Sequence, residues 1–218
     1  MHIHHICSEN SILHTFIAEI RNVNVQKDRM RFRRNIERIG EVLGYELSKK
    51  LIYKPNNITT PLGTKPSYLL EEQPVIGSIL RAGLPMHQGL LNYFDAADNL
   101  FISAYRHHTS DTDFEIVVEY VASPSLEGKT LILADPMLAS GHSFVSVFEA
   151  TTSLGKPKEI HLVAAIASPE GIAYLEEHFG AETHLWIAAI DDKLNHKGYI
   201  IPGLGDAGDL SFGLKLQQ

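Results

Sequence analysis

Apolar residues recur at steps of three and four between Gln26 and Lys50, where Ile36, Ile39, Leu43 and Leu47 share one side of a helical projection. This spacing predicts one long amphipathic helix. Arg29, Arg31, Arg33, Arg34 and Arg38 crowd its first half. They read as a solvated face, with a phosphate contact as the sharper alternative. The following stretch, YKPNNITTPLGTKPSYLLEEQP, carries four of the ten prolines and predicts a loop-and-edge excursion within one domain. The texture then changes. Residues 74–80, 99–106, 130–135, 159–167 and 183–191 are short, apolar and rich in β-branched side chains, as buried parallel strands are. LPMHQGLLNYF, SFVSVFEATTSLG and PEGIAYLEEHFG lie between or after them and have the length and amphipathic pattern of helices. Such alternation predicts an α/β fold, a mainly parallel sheet with helices on both faces. The β-rich piece at 113–129 breaks the order and is expected as a hairpin arm outside the main sheet, an extra strand or a clasp in a dimer.

Composition narrows this picture. A chain of 218 residues with 44% hydrophobic and 21% charged residues suits a single domain with a full core. The balance of 19 basic against 26 acidic residues, net −7, disfavours a nucleic-acid partner. One cysteine, Cys7, excludes an internal disulfide framework and fits a reducing cytoplasm. No apolar run reaches the roughly 18 residues of a membrane span, and no leader pattern opens the chain, so a soluble, cytoplasmic protein without a membrane partner is expected. His2, His4, His5 and Cys7 could be read as metal ligands. Without a second pair at finger-like spacing, residues 1–10 are expected to be a flexible terminus.

In open α/β sheets, ligands bind beyond the carboxyl ends of the strands. Those ends here carry Arg81, Arg106, Asp135 and the Asp191-Asp192-Lys193 run. Asp135 leads into a tight loop, Pro136, Met137, Leu138, Ala139, Ser140 and Gly141, before a helix that begins near His142 or Ser143. Free amides and the helix dipole at such a start favour phosphate, and the Ser140 and Ser143 hydroxyls add donors. The alternative is an ordinary Ser-capped helix without a ligand. Gly203, Gly205 and Gly208 spell G-x-G-x-x-G. The dinucleotide fingerprint needs a helix, a second strand and a ribose-binding acid downstream, and only nine residues follow Asp209.

Three motifs, ILRAGL (79–84), DPMLASGHS (135–143) and YIIPGLGDAGD (199–209), resemble those of the uracil phosphoribosyltransferases, within the type I phosphoribosyltransferase superfamily. The likeness continues in ASPEGI (167–172), AAIDDKLNHKGY (188–199) and NVQKDRMRFRRNIERIGEVLGYEL, and spans about residues 10–213. It implies transfer of ribose 5-phosphate from 5-phosphoribosyl 1-diphosphate (PRPP) to N1 of uracil, giving UMP and diphosphate. It also implies Mg²⁺ carried largely on the diphosphate, no metal site made by the protein itself, a homodimer and a small base-binding hood at 192–213. By motif position, the 135–143 loop would hold the 5-phosphate. Arg81 and Arg106 would hold the diphosphate, and Asp206 would lie toward PRPP. The catalytic set would be Asp135, Arg106 and Asp206. The main chain at Ile200, Gly205 and Ala207, with Asp206 beside it, would read O2, N3–H and O4 of uracil.

Two departures bear on this reading. The family loop usually runs ATGGS where this chain has ASGHS, so His142 stands where a glycine is common; a glycine there could serve a positive φ or close access to phosphate. An acidic run usually follows the arginine at 106, but here it reads RHHTSDTDFE, with His107 and His108. Exposed loop histidines are polar surface more often than a transition-metal pair. A weakly active paralogue that senses nucleotides or PRPP is the alternative function.

Overall fold

The computed structural model describes residues 1–108 and 114–215, with side chains described outside 104–117. In chain order the elements are β1 (His2–His5), α1 (Leu13–Arg21), α2 (Arg29–Ser48), β2 (Tyr53–Thr60), β3 (Gly63–Leu70), β4 (Val75–Leu80) and α3 (Leu84–Leu91). They continue with β5 (Asp98–His108), β6 (Phe114–Ala122), β7 (Thr130–Ala134), β8 (Met137–Leu138), α4 (His142–Ala150), β9 (Glu159–Ala167) and α5 (Pro169–His178). The chain closes with β10 (His184–Ile190), β11 (Lys193–Leu194), β12 (Ile200–Ile201) and α6 (Ala207–Phe212).

The main sheet runs β1-β10-β9-β7-β4-β5-β6, with β8 added to β9. Every neighbouring pair is parallel except β5–β6. Alternate residues of one strand enter different cores, because successive side chains point to opposite faces. Ile132, Val163, Ala165 and Trp186 join Ile36, Ile39, Leu43 and Leu47 under α1, α2 and α3. Leu131, Leu133, Leu162 and Leu185 join Phe144, Val147 and Leu175 under α4 and α5. Both faces are thus covered, which is why the five strands read as continuous apolar runs. This is the α/β architecture expected from the alternating pattern. Among the described residues, no helix is long and apolar enough to cross a membrane.

Three local expectations are corrected. Residues His2–His5 are not a loose terminus; they pair in parallel with His184–Ile187 as an edge of the sheet. His4 lies stacked on Trp186 at 3.8 Å between ring centroids, so burial of a flat surface holds the end. The proline-rich stretch is a two-stranded hairpin, β2–β3, separate from the main sheet. Each of its strands has a free side, so Pro55 and Pro66 cost no ladder bond that a central strand would need. Conversely, β6 is no arm outside the main sheet: it pairs with β5 from Phe101↔Ala122 to His108↔Phe114 and forms the sheet's other edge.

Candidate functional site

Adjacent parallel strands bring their carboxyl ends to one rim. In the register that aligns Ser78 with Ala134, Arg81 follows the end of β4 and Asp135 the end of β7 at the same edge of the sheet. Beyond β4, β5 carries Arg106 in the row that pairs with Ile116; its side chain, like those of His107 and His108, lies outside the described ones.

The loop after Asp135 is held as an extension of the sheet. The Asp135 carboxylate accepts from the Met137 amide at 3.3 Å, and the Pro136 carbonyl accepts from the amides of Ala165 and Ile166, each at 3.1 Å. Met137 and Leu138 then pair with Ile166 and Ala167. Ser168, fully buried, fastens the next residue: its hydroxyl donates to the Ala139 carbonyl at 2.7 Å and accepts from the Gly171 amide at 2.9 Å. One serine therefore caps α5 and pins the 135–143 loop. Gly141 precedes α4 with φ +84°, and a Cβ there would lie 2.9 Å from the Tyr174 ring, so glycine is required at this turn.

That finding relocates the glycine requirement. Among the described residues only glycines have positive φ, and His142 is already the first helical residue. Its ring stacks on Tyr174 at 4.3 Å between centroids, and Nδ1 lies 2.9 Å from the Ser140 hydroxyl. The exposed imidazole thus leans toward α5 and demands no special backbone. Residues 135–143 run from the end of β7 through a glycine turn into the start of the nine-residue helix α4, the local arrangement expected from the sequence.

Opposite this loop lies the glycine-rich segment. β11 and β12 form a short antiparallel pair, the Ile201–Pro202 peptide is cis, and α6 follows. Gly203 has φ +62°, and a Cβ there would lie 2.2 Å from the Ile200 carbonyl, a separation no side chain tolerates. Asp206 caps α6 by accepting from the Asp209 amide at 2.9 Å, and its other oxygen takes the Lys215 ammonium at 2.8 Å. Burial opposes its ionisation, yet the Lys215 ammonium and the Asp209 and Gly208 amides outweigh it, and the carboxyl sits below the usual range. Arg81 reaches across to donate to Asp209 at 3.1 Å and to the Gly213 carbonyl at 3.2 Å. Ile200 and Ala207 are buried, and Gly205 is exposed beside them.

A separate group secures this segment from behind. Arg21, the last residue of α1, makes a two-pronged ion pair with the nearly buried Asp191 and also donates to the Gly203 carbonyl at 3.0 Å. Asp191 accepts from the Gly203 amide at 2.9 Å, and Gln26 donates to the Leu204 carbonyl at 3.0 Å. The α2 arginines lie largely on the solvated face expected of them, Arg29, Arg31 and Arg34 being exposed, but several are also engaged. Arg33 donates to the Ser211 carbonyl at 2.7 Å, Arg31 meets Glu19, and Arg34 pairs with Glu37 and Glu41.

The predicted residues Arg81, Asp135–Ser143, Ile200 and Gly205–Ala207 therefore lie around one rim. Asp209, Lys215, Ser168, Arg21 and Gln26 were not foreseen. Ser168 left a readable trace, a serine followed by proline at a helix start, and Asp209 and Gln26 fall inside quoted motifs without a role being read for them. A cleft of about 480 Å³ opens between the hood and the α1–α2 connection, lined by Lys27, Arg29, Gly205, Asp206 and Asp209 among others. The 135–143 loop is not among its walls. Among the described residues no group of three or more His, Cys, Asp or Glu side chains is arranged to hold a metal ion.

Comparison with known proteins adds an independent line. The family model described as uracil phosphoribosyltransferase matches residues 7–213. A uracil phosphoribosyltransferase of Porphyromonas gingivalis is 47% identical over 216 residues, covering 99% of this chain and 100% of the relative. Among solved structures, the AQ2163 protein of Aquifex aeolicus superposes with TM-score 0.86 at 29% identity, covering 99% of this chain and 100% of that one. An orotate phosphoribosyltransferase of Mycobacterium tuberculosis, solved with PRPP, shares the fold at TM-score 0.51 and 13% identity, covering 87% of this chain and 97% of its own.

Proposed function

The chain belongs to the uracil phosphoribosyltransferase family, and from that premise we propose that it transfers ribose 5-phosphate from PRPP to N1 of uracil, releasing diphosphate. The observation that carries this reading is the meeting, on one sheet rim, of the 135–143 loop, Arg81 and the glycine-rich segment that Arg81 touches through Asp209. The amides at the start of α4 are assigned the 5-phosphate, and Asp135 the ribose hydroxyls. The guanidinium of Arg81 is assigned the departing diphosphate, joined by Arg106 from the next strand; planar forks suit phosphate oxygens. The main chain at Ile200, Gly205 and Ala207 is assigned the acceptor–donor–acceptor edge of uracil. Cytosine would put a donor where O4 sits and leave a buried group unpaired, at about 1–3 kcal/mol.

Mg²⁺ would arrive largely on the diphosphate of PRPP, since this ion keeps few protein ligands and binds chiefly through substrate phosphates. Bound that way, the ion would neutralise charge on the leaving diphosphate. A homodimer is supported by the β2–β3 hairpin, whose Leu62 is 100% and Tyr68 72% exposed; sedimentation of the intact chain checks it, and a single monomeric species would remove it. A reducing, cytoplasmic setting is supported by the single cysteine. Steady-state formation of UMP from uracil and PRPP with saturating Mg²⁺ tests the activity. Absence of turnover while PRPP still binds would overturn it in favour of a sensor.

A further inference from the structure

The residues that face the base come from a segment with almost no side-chain machinery of its own. A loop that reads a ligand with main-chain groups is only as selective as its backbone is fixed, so something outside it has to fix it. We infer that Arg21, Asp191 and Gln26 are positioning residues for base recognition, a clamp that sets the Gly203–Gly205 backbone from behind. The inference rests on the reading that this segment binds the base.

The geometry is specific. Both main-chain groups of Gly203 are captured, the carbonyl by Arg21 at 3.0 Å and the amide by Asp191 at 2.9 Å. Arg21 and Asp191 hold each other through both carboxylate oxygens, with the Asp191 side chain 4% exposed. Gln26 takes the next carbonyl, Leu204, at 3.0 Å, and ties it through the same amide nitrogen to the Ile20 carbonyl at 2.8 Å in α1. Asp191 itself is fixed at the end of β10, its amide donating to the Ala167 carbonyl at 2.8 Å. The clamp therefore references the base-facing loop to the sheet rim on one side and to α1 on the other. A buried ion pair is weak as a source of stability, since desolvation offsets the attraction. Its distinctive contribution here is angular: the planar fork holds both Asp191 oxygens and the Gly203 carbonyl in one fixed orientation, and the point charge of a lysine lacks that fork.

Steady-state kinetics with uracil and PRPP varied in turn test this on Arg21→Met, Arg21→Lys and Gln26→Ala. A displacement of the loop by a fraction of an ångström is expected to lower kcat/KM for uracil roughly 10- to 100-fold in Arg21→Met. The KM for PRPP should change far less, because most of its proposed contacts, those of the 135–143 loop, lie away from the clamped segment, where only Asp206 is assigned to PRPP. Arg21→Lys should recover only part of the loss, and Gln26→Ala should show a smaller loss of the same kind. Amide hydrogen exchange at Gly203–Gly205 should quicken in step, a readout independent of turnover. Folded variants with uracil kcat/KM and exchange like the parent would overturn the clamp, as would equal losses toward both substrates. If Arg21→Met does not fold, Arg21→Lys and Gln26→Ala decide by the same two readouts. Parent protein that makes no UMP defeats the functional reading instead.

Discussion

Replacing Ser168 by alanine should damage stability and PRPP use together, because one hydroxyl serves both. Ser168 is 0% exposed, and water cannot take over its bonds to the Ala139 carbonyl and the Gly171 amide. Loss of the cap on α5 costs about 1 kcal/mol. Stranding the Ala139 carbonyl, in a loop that has no room to turn it outward, adds about 1–3 kcal/mol. The total of about 2–4 kcal/mol corresponds, for a chain of this size, to a Tm lowered by about 4–16 °C. The same carbonyl lies two residues before Gly141, so the amides assigned to the 5-phosphate lose their reference to β9 and α5. Thermal unfolding followed by circular dichroism gives the first quantity, and the KM for PRPP, expected to rise about tenfold, gives the second. A Tm within about 1 °C of the parent would refute the reasoning. So would a large Tm loss with PRPP kinetics unchanged, since the hydroxyl would then serve the helix alone.

Stability should also fall as the solution is acidified. His4 and His184 share a 2.9 Å contact, and His161, fully buried, takes the Trp186 indole N–H at 3.0 Å. Burial first, then neighbouring imidazoles, hold His4 down to about 4 and His161 to about 3, from an ordinary 6.5, and His184 is lowered for the same reasons. The unfolded chain therefore takes up protons first as the pH drops below 6.5. Stability is full above that value and is lost down to the folded values, at up to about 1.4 kcal/mol per pH unit for each buried imidazole. Urea midpoints compared at pH 7.5 and pH 5, above the carboxylate range, check this; equal midpoints would contradict it, and His161→Phe should flatten the slope. For His142→Gly, turnover should stay within about threefold and stability fall by about 1 kcal/mol, since glycine weakens the first turn of α4 and gains nothing from a φ that is already helical; a large gain in activity would show the imidazole to be an obstruction. Arg81→Ala should lower kcat/KM for PRPP roughly 10- to 100-fold, the worth of a charge-assisted contact to phosphate. Unchanged kinetics would remove Arg81 from the site.

Which parts of this molecule could be read from one sequence follows from how far apart the cooperating residues lie. The five parallel strands were legible because burial on both faces leaves its mark inside each segment, and the 135–143 loop because strand, turn and helix start are consecutive. The edge strand His2–His5 was not, since its partner is 182 residues away at His184. The hairpin was hidden by its own prolines, which exclude a central strand and are harmless in an isolated ribbon. The clamp was hidden as a unit: Asp191 stood out at a strand end, but Arg21, its partner 170 positions away, lies in none of the quoted motifs. Groups that contact a small substrate tend to fall in short motifs, since one turn of chain can surround one phosphate. Groups that hold such a turn still must come from the elements behind it, and those are distant in sequence. The legible residues therefore mark the rim, whereas the backbone of its glycine-rich side is held by Arg21 at the end of α1 and by Gln26 in the connection to α2, and the proposed reading of a pyrimidine edge depends on both.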